Sequence, residues 1–236
     1  MISNNQLKYT ELVNIISQSR LSTYNNDISL YIWNTKLSEN FFFLLQNLEV
    51  GLRNAIYNAF LKQYPKQDFF YLFETNLNSR YLSKKEFHSR ECWKMLCSVK
   101  YKLKKQNIKI TQDKIIAELN FGFWTKILQD KHYSNLWRNI FEDVFPYKNI
   151  TKSIDVSKYE TAIIFNDLRV FRNRVFHYEP IFNKSPEIYH NNILLAIKWI
   201  DNNLYLISKT FDNFQSTLSM KEEIDKKLTK ELNKNE

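Results

Sequence analysis

Apolar residues recur at helical spacing along most of the chain. Between residues 163 and 181, the positions Ile164, Leu168, Phe171, Val175 and Tyr178 follow one another at steps of four, three, four and three. Such spacing keeps one stripe of a helix apolar, so we predict that these five side chains are buried. The rest of that helix then faces solvent or a partner.

The outward side of this helix carries polar side chains. At ~100° per residue, His177 points away from the apolar stripe and Asn173 lies on the same side of the helix. Arg172 lies at the edge of this outward side. Pro180 lacks a backbone N–H and cannot continue the helix. We therefore expect His177 in the last helical turn or just beyond it.

A second apolar helix is predicted over residues 40–63. Its core stripe is wide and consists of Leu44, Leu45, Leu48, Leu52, Ala55, Ile56, Ala59 and Phe60. Ser38 precedes this helix, and Asp27 is a suitable N-cap for a shorter helix before it. We expect the helices at 40–63 and 163–177 to form the central pair of the fold.

The remaining patterns also favour helices, which predicts an all-α fold. Further helices are expected at 86–105, at 113–119 with Thr111 as the N-cap, at 136–144 and at 188–208, with a loop and short helices at 63–90 and a connector at 146–157. The segment 221–236 has three apolar residues, namely Ile224, Leu228 and Leu232. We therefore predict a helical domain at 1–212 and a charged C-terminal helix or tail at 213–236.

Composition supports helices and indicates the cellular environment of the protein. The 236 residues include two Gly and four Pro, few of the residues that punctuate sheets and long loops. No apolar run approaches the ~20 residues of a membrane span, and no secretory signal is visible at the N-terminus, so we expect a cytoplasmic protein without membrane contact. Cys92 and Cys97 lack the spacing of a zinc or redox motif. We predict two reduced, buried or half-buried thiols and no metal site.

The net charge is strongly positive. A formal charge of +9 and an isoelectric point near 9.3 favour an anionic partner, most simply a nucleic acid, although charge alone does not distinguish RNA from DNA or a membrane. The densest basic region before the tail contains Lys94, Lys100, Lys102, Lys104 and Lys105. Trp93 and Tyr101 interleave with these cations, a combination suited to RNA backbone contact and base stacking. A solvated helix face is the alternative interpretation.

The string RNRVFH at residues 172–177 consists of an Arg, four further residues and a His. This pattern resembles the Arg-polar-x3-His motif of HEPN-domain ribonucleases, and its continuation HYEPIF is similar to the C-terminal signature of the Abi-like (abortive-infection) family. Residues 30–60, which include EVGLRN, and residues 121–146 also resemble that family, in the same order along the chain. The resemblance covers residues from about 8 to 205.

The resemblance implies a HEPN-like helical bundle with additional helices. It also implies a metal-independent RNA endonuclease without a cofactor, acting as an effector or toxin in antiphage abortive infection. Arg172, His177 and Asn173 would be its catalytic residues, and Arg169 and Arg174 would join the lysines in binding RNA. A regulatory small RNA or an antitoxin would restrain the enzyme. The alternative is a non-catalytic RNA-binding or sensor protein of a defence system.

An Arg and a His supply the chemistry that RNA cleavage needs. The 2′-hydroxyl of RNA is itself the nucleophile, so the protein has to move protons and neutralise charge at the phosphate. Histidine exchanges protons near neutral pH. Arginine is permanently charged and can donate two hydrogen bonds to the oxygens of one phosphate. The predicted products are a 2′,3′-cyclic phosphate and a 5′-hydroxyl. If the motif is instead structural, His177 caps the helix and Arg172 pairs with Glu179 or Asp167.

One copy of the motif makes a poor pocket, because on an ideal helix Arg172 and His177 diverge by ~140°. Two protomers that bring this helix together would gather two Arg and two His. HEPN ribonucleases are known for such composite sites, so the resemblance implies a C2 homodimer. Tyr178 departs from the family pattern, since many members carry a second His there. We predict no function for His132 and His190.

Glu49, Arg53 and Asn54 form a further candidate group within the helix at 40–63. Glu49 precedes Arg53 by four residues, the orientation that favours an ion pair on a helix surface. Such a surface pair stabilises a protein only slightly. Because these residues lie in a part of the chain that resembles the Abi-like family, the alternative is that they support the site by orienting Arg172 or His177.

Overall fold

The computed structural model describes residues 9–70, 91–129 and 134–233. Within these ranges every regular element is an α-helix and no strand is present, so the predicted all-α class is confirmed. In chain order the helices are α1 (Tyr9–Ile16), α2 (Gln18–Ser22), α3 (Ile28–Gln63), α4 (Glu91–Lys105), α5 (Gln112–Glu118), α6 (Phe121–Gln129), α7 (Ser134–Val144), α8 (Ile154–Phe176), α9 (Pro186–Ile200), α10 (Asn202–Thr210), α11 (Phe214–Ser219) and α12 (Lys221–Asn233).

Helix α3 is the element on which most of the others pack. It runs without interruption for 36 residues, so the prediction of two separate helices in this region was wrong. Ser38 does not interrupt it because its hydroxyl donates to the carbonyl four residues earlier at 2.9 Å, while Leu37 and Phe41 on either side are fully buried. The predicted cap is confirmed: the Asp27 carboxylate accepts from the Leu30 N–H at 3.1 Å.

Helix α8 packs against α3, as predicted for these two helices. Leu168, Phe171 and Val175 are buried, and the Phe171 ring meets the Phe41 ring edge to face at 4.8 Å between centroids. Tyr178, the last member of the predicted apolar stripe, is instead 74% exposed. The helix ends two residues earlier, and the backbone of Tyr178 adopts a left-handed conformation with φ 59°, which takes its side chain out of the helical register.

The short helices α5 and α6 complete the core beside α8. The hydroxyl of Thr111 accepts from the Lys114 N–H at 3.3 Å, so the predicted cap of α5 is confirmed. Phe121, Phe123 and Trp124 at the start of α6 are buried in the same core as α3 and α8. Helix α6 packs against α8, and α4 packs against α6.

The predicted closing helix at 188–208 consists of two helices, α9 and α10. Asp201 separates them with an extended backbone, φ −156° and ψ 131°, and its carboxylate accepts from the Leu204 N–H at 2.7 Å to begin α10. A short acidic side chain bonds to nearby backbone groups as readily as the helix does. A single Asp within an apolar pattern therefore ended the helix.

The C-terminal segment is helical in α11 and α12, the first of the two alternatives predicted for it. Phe214 is buried in the core, and the indole N–H of Trp33 donates to the Thr217 carbonyl at 3.0 Å. Ile224 of α12 is also buried, and α12 packs along α3. These contacts hold the segment against the rest of the fold.

Other sequence predictions concern the cysteines, metal binding and segments outside the described residues. Cys92 is buried and Cys97 is half-buried, as predicted. Among the residues that the structure describes, no three His, Cys, Asp or Glu side chains are grouped to hold a metal, and no helix is long and apolar enough to cross a bilayer. Residues 71–90 of the loop predicted at 63–90 lie outside the described residues, as do the first residues of the helix predicted at 86–105 and His132.

Candidate functional site

Helix α8 ends in a defined C-terminal turn. The Glu179 N–H donates to the Arg174 carbonyl at 2.9 Å, and the Tyr178 N–H donates to the Val175 carbonyl at 3.2 Å. This pair of bonds is the Schellman motif, in which the residue after the C-cap adopts left-handed geometry and is usually Gly. Here that residue is Tyr178, so the turn holds a bulky side chain in a strained backbone conformation.

His177 is the C-cap of α8, and its side chain is exposed. Its backbone N–H donates to the Asn173 carbonyl at 2.9 Å. In the described part of the chain, the imidazole forms no hydrogen bond or ion pair. The predicted position of His177 at the helix end is confirmed, and its ring is accessible for proton exchange with a ligand.

Arg172 is held on the side of α8 that faces α3. Its Nη2 donates to Glu49 Oε2 at 3.2 Å, and the two side chains are only 22% and 20% exposed. Its Cζ lies 3.9 Å from the centroid of the Phe176 ring. Within the described ranges, Arg172 forms neither of the structural pairings considered from the sequence, those with Glu179 or Asp167. The guanidinium is therefore anchored by a residue from the other central helix.

Arg53 does not form the predicted ion pair with Glu49. The Glu49 carboxylate is bound by Arg172 instead, and in the described part of the chain Arg53 has no carboxylate partner. The Nε atoms of Arg53 and Arg172 are both buried without an acceptor. Asn54 is exposed on another side of α3, where it lines a groove of about 480 Å³ that also contacts Ile200. The structure thus brings Glu49 to the motif and separates Asn54 from it.

The contact between α3 and α8 extends beyond the Glu49–Arg172 pair. The Phe42 ring stacks on the Phe176 ring, with 5.0 Å between centroids and 23° between planes. Because Phe42 precedes Glu49 while Phe176 follows Arg172, the two helices run antiparallel here. Phe42 was not recognised from the sequence, since it lies in the apolar run 41–45 and its half-exposed position depends on tertiary packing.

Arg169 lies one turn before Arg172 and near the start of α6. Its Nε and Nη2 donate to Asn166 Oδ1 at 3.3 and 2.9 Å, and a Cβ placed on Gly122 would lie 3.9 Å from its Cδ. Arg169 forms no ion pair with any described carboxylate. Continuing the antiparallel register by one helical turn places Arg53 of α3 level with Arg169.

Arg174 lies on a different side of α8 from Arg172. It pairs with Glu179 at 3.1 Å. Next to it, the Tyr189 hydroxyl donates to Asp167 at 3.1 Å, and burial together with that carboxylate raises the pKa of Tyr189. The charge of Arg174 is therefore compensated within the fold, and the structure does not place it with Arg172.

The predicted RNA-binding lysines form a separate surface on α4. Its exposed members are Lys94, Lys102, Lys104 and Lys105, with an exposed Tyr101 among them. Lys102 pairs with Glu118, and burial lowers the pKa of Lys100 while Asp68 acts in the opposite direction. Helix α6 contacts both α4 and α8, so it lies between these lysines and Arg172. They are available for a polyanion only at a distance from the motif.

The face of α8 that carries His177 is mostly exposed and largely apolar. Its residues follow alternating steps of three and four and are Val156, Tyr159, Ile163, Asn166, Val170, Asn173 and His177. This is the spacing of a coiled-coil seam. A groove of about 490 Å³ lies between this face and the end of α6, with Leu128 on its wall. Only part of this face was recognised from the sequence, although its spacing was visible there.

Comparison of the chain with protein-family models, with curated proteins and with solved structures found no match. Its function must therefore be inferred from the site itself.

Proposed function

We propose that this protein is a metal-independent RNA endonuclease in which His177 and Arg172 act at the scissile phosphate. The observation that carries the proposal is an accessible imidazole and an anchored guanidinium within the last turns of one helix, on different sides of it, so that a second copy is needed to complete the site. The imidazole is free to move a proton, and the guanidinium has a fixed position from which to stabilise negative charge. The resemblance of residues 172–177 to the motif of HEPN ribonucleases supports the same function.

The proposed reaction is a transfer of the phosphate within the RNA chain. The 2′-oxygen attacks the adjacent phosphorus, the bond to the 5′-oxygen breaks, and the products are a 2′,3′-cyclic phosphate and a 5′-hydroxyl. One group accepts the 2′-hydroxyl proton and another donates a proton to the leaving 5′-oxygen, while Arg172 binds the non-bridging oxygens. Asn173, half-buried one turn before His177, would orient the ring or the phosphate.

A homodimer would supply the second imidazole that this reaction uses. The seam-like spacing on the exposed face of α8 supports pairing with the same face of a second copy, and such pairing would bring two His177 side chains together. Ile163→Glu places a charge in the middle of the seam. We expect a monomer by light scattering and a loss of cleavage, whereas Ile188→Glu, at an exposed apolar position on α9, retains both properties. A dimeric, active Ile163→Glu protein would contradict the composite site.

The proposed biological role is that of an abortive-infection effector in the cytoplasm, by resemblance to the Abi-like family. Such an enzyme needs restraint in uninfected cells, and the proposed restraint is a small RNA or an antitoxin that covers the cleft. The exposed lysines of α4 support RNA as a ligand. They lie on the same helix as the exposed Tyr101, and such a surface combines positive charge for the RNA backbone with an aromatic ring for base stacking.

Cleavage of single-stranded RNA in the presence of EDTA tests the function. We expect cutting by the wild-type protein and a loss of at least about 100-fold in Arg172→Ala and in His177→Ala, the size usual for a general acid–base or charge-stabilising group. Thermal unfolding of each variant checks that it remains folded. Equal cutting by both variants would contradict the assignment, and wild-type protein that binds RNA without cutting it would favour a non-catalytic RNA-binding protein.

A further inference from the structure

Positive charge exceeds negative charge around the contact between α3 and α8. Arg169 and Arg172 lie there on α8, and the antiparallel register places Arg53 of α3 level with Arg169. Among the described carboxylates, only Glu49 forms an ion pair with any of these three arginines. By contrast, Arg138 pairs with Asp155 through two hydrogen bonds at 3.4 and 2.9 Å. The arginines near the motif therefore leave charge uncompensated within the described part of the chain.

Burial makes this excess costly. The side chains of Arg53 and Arg169 are half-buried, and the Nε of Arg53 is fully buried without an acceptor. A partly buried cation without a counter-charge loses hydration and gains no ion pair in return. An anionic ligand bound at their terminal nitrogens would compensate both arginines.

We propose that Arg53 and Arg169 bind the RNA phosphate next to the one held by Arg172. This inference rests on the proposed function, because it takes Arg172 as the ligand of the scissile phosphate. Arg169 and Arg172 are three residues apart on α8, so their Cβ atoms are roughly 5–6 Å apart and their long side chains can reach two neighbouring phosphates. The RNA strand then runs along the α3–α8 contact. Arg53 is a direct phosphate ligand in this arrangement and does not act through Glu49.

The salt dependence of RNA binding tests the subsite. Each phosphate contact to a single strand contributes about 0.7 to the slope of log affinity against log salt concentration. A 2′-O-methyl RNA, which lacks the nucleophile, allows binding to be measured without cutting. We expect Arg53→Gln and Arg169→Gln each to reduce the slope by about 0.7. The matched control is Arg138→Gln on α7, whose partner Asp155 lies ~25 Å along α8 from Arg172, and this variant should leave the slope unchanged.

Two further variants sharpen the result. Arg53→Lys keeps the charge and should retain the slope while weakening binding, because an ammonium group cannot fork onto two phosphate oxygens. Arg169→Gln carries the test if Arg53→Gln fails to fold, since Arg169 bonds only to Asn166 within the described chain.

The outcomes separate this subsite from the nuclease function. Wild-type protein that cuts RNA, together with slopes unchanged in both glutamine variants, would overturn the subsite and leave the function. Reduced slopes in a protein that binds but does not cut RNA would support the subsite and contradict the function. An equal reduction in Arg138→Gln would overturn the subsite, because it would indicate a general effect of charge.

Discussion

His177 and His190 lie thirteen residues apart in the chain and have opposite environments. His177 is exposed at the end of α8, and its ring has no partner in the described part of the chain. His190 is buried in α9, with Nε2 at 2.6 Å from Asp212 Oδ2 and its ring stacked on Phe214 at 4.2 Å between centroids. One imidazole serves the fold and the other is available for chemistry. Residue type alone does not distinguish the two environments, although the helical pattern predicted the outward position of His177.

His190 has a structural role at the junction of α9 and α11. Asp212 also accepts from the Phe214 N–H at 3.0 Å, so the same carboxylate joins α9 to the start of α11. The pair thus fixes the C-terminal segment against the core. His177 has no comparable structural contact through its side chain, which leads to different expectations for mutations at the two positions.

Replacing the buried histidine should produce the largest change in stability. His190→Ala leaves Asp212 without its partner and removes the stacked ring, so we expect the free energy of unfolding to fall by about 3 kcal/mol. Urea denaturation measures this change. The folded fraction should still cut RNA at the wild-type rate. A change below about 0.5 kcal/mol, the usual size for surface substitutions, would erase the contrast between the two histidines.

The ion pair between α3 and α8 should have an intermediate effect. Glu49→Gln leaves Arg172 with a neutral partner in a poorly exposed position, so we expect a loss of about 1–2 kcal/mol in unfolding free energy and weaker cleavage. The matched control is Glu39→Gln, which breaks an exposed pair with Lys36 and should cost under about 0.5 kcal/mol. Equal effects of the two substitutions would show that Arg172 is not anchored by Glu49.

The strained turn beside His177 should give the smallest effect, and in the opposite direction. Tyr178→Gly removes a side chain from a left-handed position, so we expect a gain of about 1 kcal/mol in unfolding free energy. Tyr178→Ala removes the same exposed ring and keeps a Cβ, and it should show no such gain. If both substitutions change stability equally, the backbone at Tyr178 is not strained.

Local rules predicted the parts of the fold that depend on neighbouring residues. The spacing of Leu168, Phe171 and Val175 gave the buried face of α8, and Pro180 gave its end. The same rules wrongly predicted that Tyr178 is buried. The helix ends at Phe176, and the Schellman turn places Tyr178 in a left-handed conformation that takes its side chain out of the helical register. The rules failed in α3 and α9 as well, where packing or a single capping carboxylate decided whether the helix continued.

The candidate site shows why tertiary contacts limit such predictions. The sequence rule for residues four apart predicted an ion pair between Glu49 and Arg53. In the fold, Glu49 binds Arg172, which is 123 residues away, because the antiparallel register of α3 and α8 brings them together. Local spacing does not determine which of the two arginines pairs with the Glu49 carboxylate. The position of His177 could be predicted because it depends only on the end of its own helix.

The chemical ends of the cut RNA test the central claim most directly. In EDTA, the wild-type protein should leave a 2′,3′-cyclic phosphate and a 5′-hydroxyl, and it should not cut a substrate with a single 2′-deoxy nucleotide at the cleavage position. His177→Gln should remain folded and make neither end. A 3′-hydroxyl with a 5′-phosphate, cutting at the 2′-deoxy position, or unchanged cleavage by His177→Gln would contradict the proposed nuclease.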